Sequence, residues 1–333
     1  MKTGTRVRVL SLATAAGLLL FSSPALATTP AADADLNGDG YADLVTVGGE
    51  HGIASGLWLV PGAGDGSAGS ATNIGFHGNG VFQPGQVGDP DEFDGAQVIT
   101  GAFSGNGVQQ YLVYYPTGRN AGGAVILKGN GDGAPIPTEF GQNYSAINGG
   151  TFSTIDWNDW QTIDSPIQLA NAGSHHSSYP DLVGIAGKGD GSTFLASYPN
   201  VGGPGGYVDV YPLTVATPTG GADWNTWTIT TAQTTSGTAL FLHQASTGTL
   251  YLWNDFVASD AGTATYTAYR LSSNFHTGDD VTLRAADIDG DGTGDLWAVG
   301  DGAAATAWLV GGLDSATATG TVTAQPAQGL PAA

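Results

Sequence analysis

Asp35-Leu36-Asn37-Gly38-Asp39-Gly40-Tyr41-Ala42-Asp43 and, 252 residues later, Asp287-Ile288-Asp289-Gly290-Asp291-Gly292-Thr293-Gly294-Asp295 share one pattern. Each run carries oxygen side chains at positions 1, 3, 5 and 9. Each has glycine at position 6, where the chain must turn sharply. Alternate residues send their oxygens toward one centre, and the carbonyl at position 7, from Tyr41 or Thr293, adds another donor. Such a cage of hard oxygens suits calcium, which takes more ligands than the octahedron of magnesium. An EF-hand places Glu at position 12 and continues into a helix. Position 12 is here Thr46 or Ala298, inside an apolar run. The two runs therefore read as calcium loops between strands. The ligand set is Asp35, Asn37, Asp39, Tyr41 and Asp43 in the first, and Asp287, Asp289, Asp291, Thr293 and Asp295 in the second.

Outward from these loops the chain repeats itself. Asp43-Leu44-Val45-Thr46-Val47, a turn, and Gly56-Leu57-Trp58-Leu59-Val60 have counterparts in Asp295-Leu296-Trp297-Ala298-Val299 and Thr306-Ala307-Trp308-Leu309-Val310. Tyr111–Tyr115 with Gly123–Leu127 makes a third copy. Looser copies start at Asp181-Leu182 and Ala239-Leu240. The marker positions 44, 111, 182, 240 and 296 lie 56 to 71 residues apart. Upstream of three of the units stands a further apolar segment, Gln97–Thr100, Ile167–Ala170 or Val281–Arg284. One unit is thus strand, loop, strand, Gly-rich turn, strand, with room for a fourth strand. The β-branched and aromatic content suits strands. Four strands in about 60 residues is the size of one propeller blade. The expected fold is all-β, a β-propeller of about five four-stranded blades spanning residues 28–325. The first unit would borrow chain from the C-terminus, with Thr319–Thr323 as a closing strand, and residues 326–333 would be a disordered tail. In the middle units the loop carboxylates are missing, as in Ala102-Phe103-Ser104-Gly105-Asn106-Gly107 and Asn171-Ala172-Gly173-Ser174-His175-His176.

Composition agrees. The chain has 54 Gly in 333 residues, and only 11% of its residues are charged, which disfavours helices. With 8 basic against 29 acidic residues the formal charge is −21, so nucleic acid and anionic membranes are excluded as partners. The absence of Cys excludes disulfides, thiolate metal sites and thiol catalysis. Lys2, Arg6 and Arg8 precede an apolar stretch, Val9 to Phe21, and then Ala25-Leu26-Ala27. Residues 1–27 read as a signal peptide cleaved near Ala27, followed by a secreted, extracellular chain.

The two acidic runs, with the spacing D-x-[DN]-x-D-G-x-x-D-L, resemble the FG-GAP/VCBS repeat of the integrin α-subunit propeller and of many secreted bacterial proteins. The phrases Leu57-Trp58-Leu59-Val60-Pro61-Gly62 and Ala307-Trp308-Leu309-Val310 are similar to the second half of such repeats. The resemblance implies a calcium-binding propeller serving as an adhesion, carbohydrate-binding or accessory module.

Two functional classes follow. The first is a monomeric binding module for a glycan or an extracellular protein. Paired Trp157 and Trp160, and Trp224 and Trp227, stand among Asn and Asp in the variable stretches. Such rings stack on sugar faces, or else pack between blades. The second class is a polysaccharide hydrolase or lyase using Asp residues on the propeller face, for instance among Asp89, Asp91, Glu92 and Asp94. No nucleophile, zinc or phosphate-loop motif is present, so no catalytic residue is assigned.

Overall fold

The structure is a computed structural model. It describes residues 33–75, residues 90–133 apart from 106, 119, 130 and 132, the strand backbones at 144–146 and 154–155, and residues 162–333. The expected signal peptide, Trp157 and Trp160 lie outside these residues. The fold is all-β, with 46% strand and 3% helix.

The first sheet is an antiparallel meander of β1 (Leu44–Val47), β2 (Leu57–Val60) and β3 (Thr72–Asn73). The second runs β4 (Gln97–Gly101), β5 (Gln110–Tyr114), β6 (Ala124–Leu127) and β7 (Tyr144–Ala146). A small pair, β8 (Thr154–Ile155) and β9 (Thr162–Ile163), precedes the third sheet. That sheet runs β10 (Gln168–Asn171), β11 (Leu182–Gly187), β12 (Thr193–Tyr198) and β13 (Tyr211–Pro212). The rest is one sheet made of two meanders. One is β14 (Thr228–Gln233), β15 (Thr238–Gln244), β16 (Thr249–Ser259) and β17 (Thr263–Ser272). The other is β18 (Thr282–Ala286), β19 (Asp295–Gly300), β20 (Ala304–Asp314) and β21 (Thr319–Ala324). They join through a parallel contact of β17 with β21 at Arg270 and Thr319. The end strands β14 and β18 pack beside each other, so this eight-strand path nearly closes on itself.

Burial explains the order. Every residue of β5 and of β15 is buried. A strand buried on both faces reads as a continuous apolar run and must be covered from two sides. Side chains alternate accordingly. Tyr111 and Val113 of β5 pack with Val45 and Leu57 of the first sheet. Leu112 and Tyr114 pack with Leu169 and Leu182 of the third. Leu240 and Leu242 of β15 meet Val183 and Ile185, whereas Ala239 and Phe241 meet Leu283 and Leu296. Finally, Trp297 and Val299 of β19 meet Leu44 and Val60 of β1 and β2. Five apolar clusters thereby link five meanders in a cycle. The outer strands β17 and β21 instead alternate between exposed and half-buried residues, as edges facing water on one side do.

Between the innermost strands, side chains replace the backbone ladder. Gln97 donates to the Ile167 carbonyl and accepts from the Leu169 N–H. Gln168 does the same one sheet later, with Trp227 and Ile229. Thr230 Oγ1 accepts from the Ala285 N–H, and Arg284 Nε donates to the Val45 carbonyl at 3.3 Å. A cavity of about 280 Å³ lies among them, lined by β1, β4, β10, β14 and β18.

Two sequence expectations need correction. β21 does not close the first sheet, which has three strands among the described residues; it is the fourth strand of its own meander. Residues 326–333 are not a disordered tail either. β22 (Gln328–Gly329) pairs with β20, and the Leu330 N–H donates to the Ala303 carbonyl. Ala54 N–H donates to the Pro331 carbonyl, and Ala333 N–H to the Gly52 carbonyl. Leu330 is 8% exposed and belongs to the cluster between the last meander and the first sheet. This short segment orders because backbone groups of the turns at Gly52 and Ala303 pair with it. Deleting Gln328–Ala333 should therefore lower unfolding stability by about 2–4 kcal/mol, from lost hydrogen bonds and one buried Leu. Chemical denaturation would measure this. An unchanged midpoint would mean that the segment contributes nothing.

Candidate metal centres

The first acidic loop enters β1 and the second enters β19, and position 9 is the pivot in both. Asp295 is 0% exposed. Its Oδ1 accepts from the Val310 N–H at 2.7 Å and its Oδ2 from the Ile288 N–H at 3.1 Å. Asp43 repeats this with the Gly62 N–H at 3.0 Å and the N–H groups of Leu36 and Asn37. One carboxylate thus ties the start of its loop to the strand across the hairpin. Gly38, Gly40, Gly290 and Gly292 all have positive φ, between 74° and 94°. That left-handed backbone is what lets the chain wrap round the side chains it presents.

The second loop gathers its acids most tightly. Oxygens of Asp287, Asp289 and Asp295 lie within 4.8 Å of one another. Asp287 Oδ2 accepts from the Gly292 N–H, but its Oδ1 is shut off from solvent without a hydrogen-bond partner. Burial pushes the Asp295 carboxyl up to about 7 and raises that of Asp287 as well. An orphaned carboxylate oxygen beside two further acids is costly by itself and is relieved by a cation. The donors are all hard oxygens, which fits calcium. Asp291 is exposed and accepts from the Thr293 N–H at 2.7 Å.

In the first loop the side chains satisfy the loop itself. Asp35 accepts from the N–H groups of Gly38 and Gly40. Asn37 Nδ2 donates to Asp39 and Asp43, and Asp39 Oδ1 accepts from the Tyr41 N–H. The Tyr41 ring is exposed. Burial pushes the Asp43 carboxyl up to about 6. Ala34 and Ala42 of this loop and Ala286 and Ile288 of the other pack in one cluster, so the two loops are neighbours across the junction of the chain's two ends.

Sequence reasoning missed three features. Asp181 is the same pivot in the third meander: it accepts from the Asn200 N–H at 2.7 Å and the His175 N–H at 3.1 Å. Its place before Leu182 matches that of Asp43 before Leu44, so the signal was present. His176 then supplies a partner for Asp181. Its Nδ1 lies 2.9 Å from Asp181 Oδ2 and its Nε2 lies 2.9 Å from Asp260 Oδ1, at the tip between β16 and β17. The third is Asp33, which accepts from the Gln233 N–H at 2.7 Å and whose carboxyl burial pushes up to about 7. In the second meander the pivot position is Gln110, also buried.

The tryptophans are placed differently from the sugar-stacking expectation. Trp224 and Trp227 are each 1% exposed, inside the cluster between the third sheet and β14–β16. Trp224 stands edge-on to Trp253 at 6.0 Å and donates to the Val215 carbonyl. Neither ring offers a face to a ligand, because a three-residue 3-10 turn, Trp224–Thr226, folds this segment back over the core. Asp89 lies outside the described residues. Asp94, in the same acidic stretch, accepts from the Ser55 hydroxyl at 2.6 Å.

The His176 bridge carries a pH prediction. The hydrogen bond with Asp181 is the main cause that raises the imidazole pKa, aided by the charges of Asp181 and Asp260. A group whose folded pKa is raised stabilises fully below its unfolded value, about 6.5, and loses that contribution as pH rises through the folded value. The melting temperature of His176→Gln should therefore fall furthest below wild type at pH below about 6.5, with the gap narrowing as pH rises above that value. A gap independent of pH would show that the bridge carries no proton-linked stability. No family model matches the chain, and no curated protein matches it.

Proposed function

We propose that the chain is a secreted five-bladed β-propeller of the FG-GAP/VCBS type, held at its closure by calcium, that works as a monomeric extracellular binding module for a glycan or a protein surface. The convergence of Asp287, Asp289 and Asp295 around an orphaned buried oxygen carries the calcium assignment. The cycle of five apolar clusters supports the blade count, each meander being one blade and the first having three strands. The repeat period and the loop spacing support the family.

Asp287, Asp289, Asp291 and Asp295, with the Thr293 carbonyl, would hold one ion; Asp35, Asn37, Asp39 and Asp43, with the Tyr41 carbonyl, would hold the other. Bound calcium supplies positive charge that keeps the loop carboxylates ionised. Asp295 and Asp43 meanwhile hold their loops against the Val310 and Gly62 amides. The role is structural: a chain with net charge −21 gathers acids where its two ends meet, and cations there offset the repulsion. With about 1 mM calcium and a dissociation constant near 0.1 mM, each site stabilises the fold by about 1.4 kcal/mol.

Calorimetric titration of the full chain with calcium should give a stoichiometry of two. Chelation should lower the melting temperature. Asp291→Ala and Asp39→Ala should each remove one site, and the double variant should lose the response to chelator. No heat and no shift on adding EDTA would sink the calcium assignment.

A further inference from the structure

A second site lies away from the metal loops, in the cleft between β17 and the β20–β21 hairpin. This cleft has a volume of about 760 Å³, and its walls include Ser272, Phe275, His276, Asp279, Trp308 and Thr321. Three rings meet there edge to face. Phe275 lies 4.7 Å from His276 and 5.0 Å from Trp308, and His276 lies 5.5 Å from Trp308.

Two nitrogens in this trio have no partner. Trp308 Nε1 and His276 Nε2 are both closed off from bulk water and make no hydrogen bond. The contrast with Trp58 is informative, because it holds the same repeat position. Its Nε1 donates to the Ala54 carbonyl at 2.7 Å. A buried polar group left unpaired costs free energy, and two in one cleft call for a ligand. His276 also sits at φ 42°, a left-handed conformation unusual for a residue with a side chain. Such strain gathers at functional sites. The neighbouring Phe275 belongs to the buried apolar cluster, whereas the His276 ring is half-buried at its edge.

We propose that this cleft binds a neutral saccharide. Trp308 Nε1–H is a donor. His276 Nδ1 faces Asp279 Oδ2 at 3.4 Å, which favours the tautomer with the proton on Nδ1 and leaves Nε2 as an acceptor. One donor and one acceptor side by side match adjacent hydroxyls of a sugar, one accepting and the other donating. The half-buried Trp308 ring and Val322 offer apolar surface for the C–H face of the ring, over the buried Phe275. Ser272, Asn274, Thr277 and Thr321 supply further hydroxyl and amide partners at the rim. Asp279 at the mouth and the net charge of −21 repel anions, so acidic sugars are disfavoured. The site gives the binding-module reading a location and a ligand class, and rests on that reading only for the ligand being extracellular.

The test is binding of the full calcium-loaded chain to an array of neutral hexose, pentose and N-acetylhexosamine oligosaccharides, with affinities by calorimetry for those retained. Trp308→Phe keeps a ring but removes the donor. His276→Gly removes the acceptor and relieves the backbone, since glycine is at ease at positive φ. Each should weaken binding about tenfold, the worth of one lost hydrogen bond in a closed site. Trp58→Phe should leave affinity unchanged, and melting curves should show all three variants folded. Retention of no neutral oligosaccharide overturns the site. So does binding that both cleft variants leave intact. Either result would leave the calcium titration as it stands, so failure of the cleft and failure of the calcium-held module are read separately.

Discussion

Burial of the middle strands on both faces is the constraint from which the rest of this architecture follows. β5 and β15 expose no residue to water. A lone sheet cannot achieve that, and two stacked sheets would cover only one face of each. Alternate side chains therefore go to opposite neighbours, and five clusters of modest size, rich in Ala, Val and Leu, replace one large core. Because every meander depends on two others, the meeting of the first and last is an energetic necessity. This is where the carboxyl-terminal strand β22 and the residues after it are drawn in.

Charge is distributed by the same logic. A carboxylate at the head of β1, β11 or β19 ties its loop to the strand opposite, and it must be buried to do so. Burial raises the pKa of Asp43 and Asp295 and leaves negative charge in need of compensation. Two answers are visible in one chain. The loop around Asp295 gathers Asp287 and Asp289 beside the pivot, a group of oxygens that could hold a cation. The loop around Asp181 brings His176 instead, and shares it with Asp260 of the next meander. The second answer needs no ion and gains a contact between neighbours, but it depends on a proton.

The aromatic residues separate into two populations. Trp224, Trp227 and Trp253 fill the broad interface before β14–β16, where long strands leave more volume to occupy. Trp308 holds a repeat position in common with Trp58, yet its surroundings leave its N–H without a carbonyl. The difference arises because the chain between β17 and β18 folds over it as Phe275 and His276, whereas in the first sheet the chain beside Trp58 supplies Ala54.

What the chain's residues determine locally was legible from their order. The Asp and Gly spacing at 35–43 and 287–295 specifies loops that turn left-handed at glycine. The runs at Leu44, Tyr111, Leu182, Leu240 and Leu296 specify strands, because apolar β-branched and aromatic residues favour that state wherever they lie. Even the Asp181 pivot was implicit in its place before Leu182. Contacts between units were not legible. The burial of Trp224 and Trp227, the Asp260 partner of His176, the ordered end of the chain and the cleft at Trp308 all join residues far apart in sequence or belonging to different sheets. A repeat specifies each unit's own strands, but only the packing of one unit against the next decides which side chains are covered and which polar atoms are left without a partner.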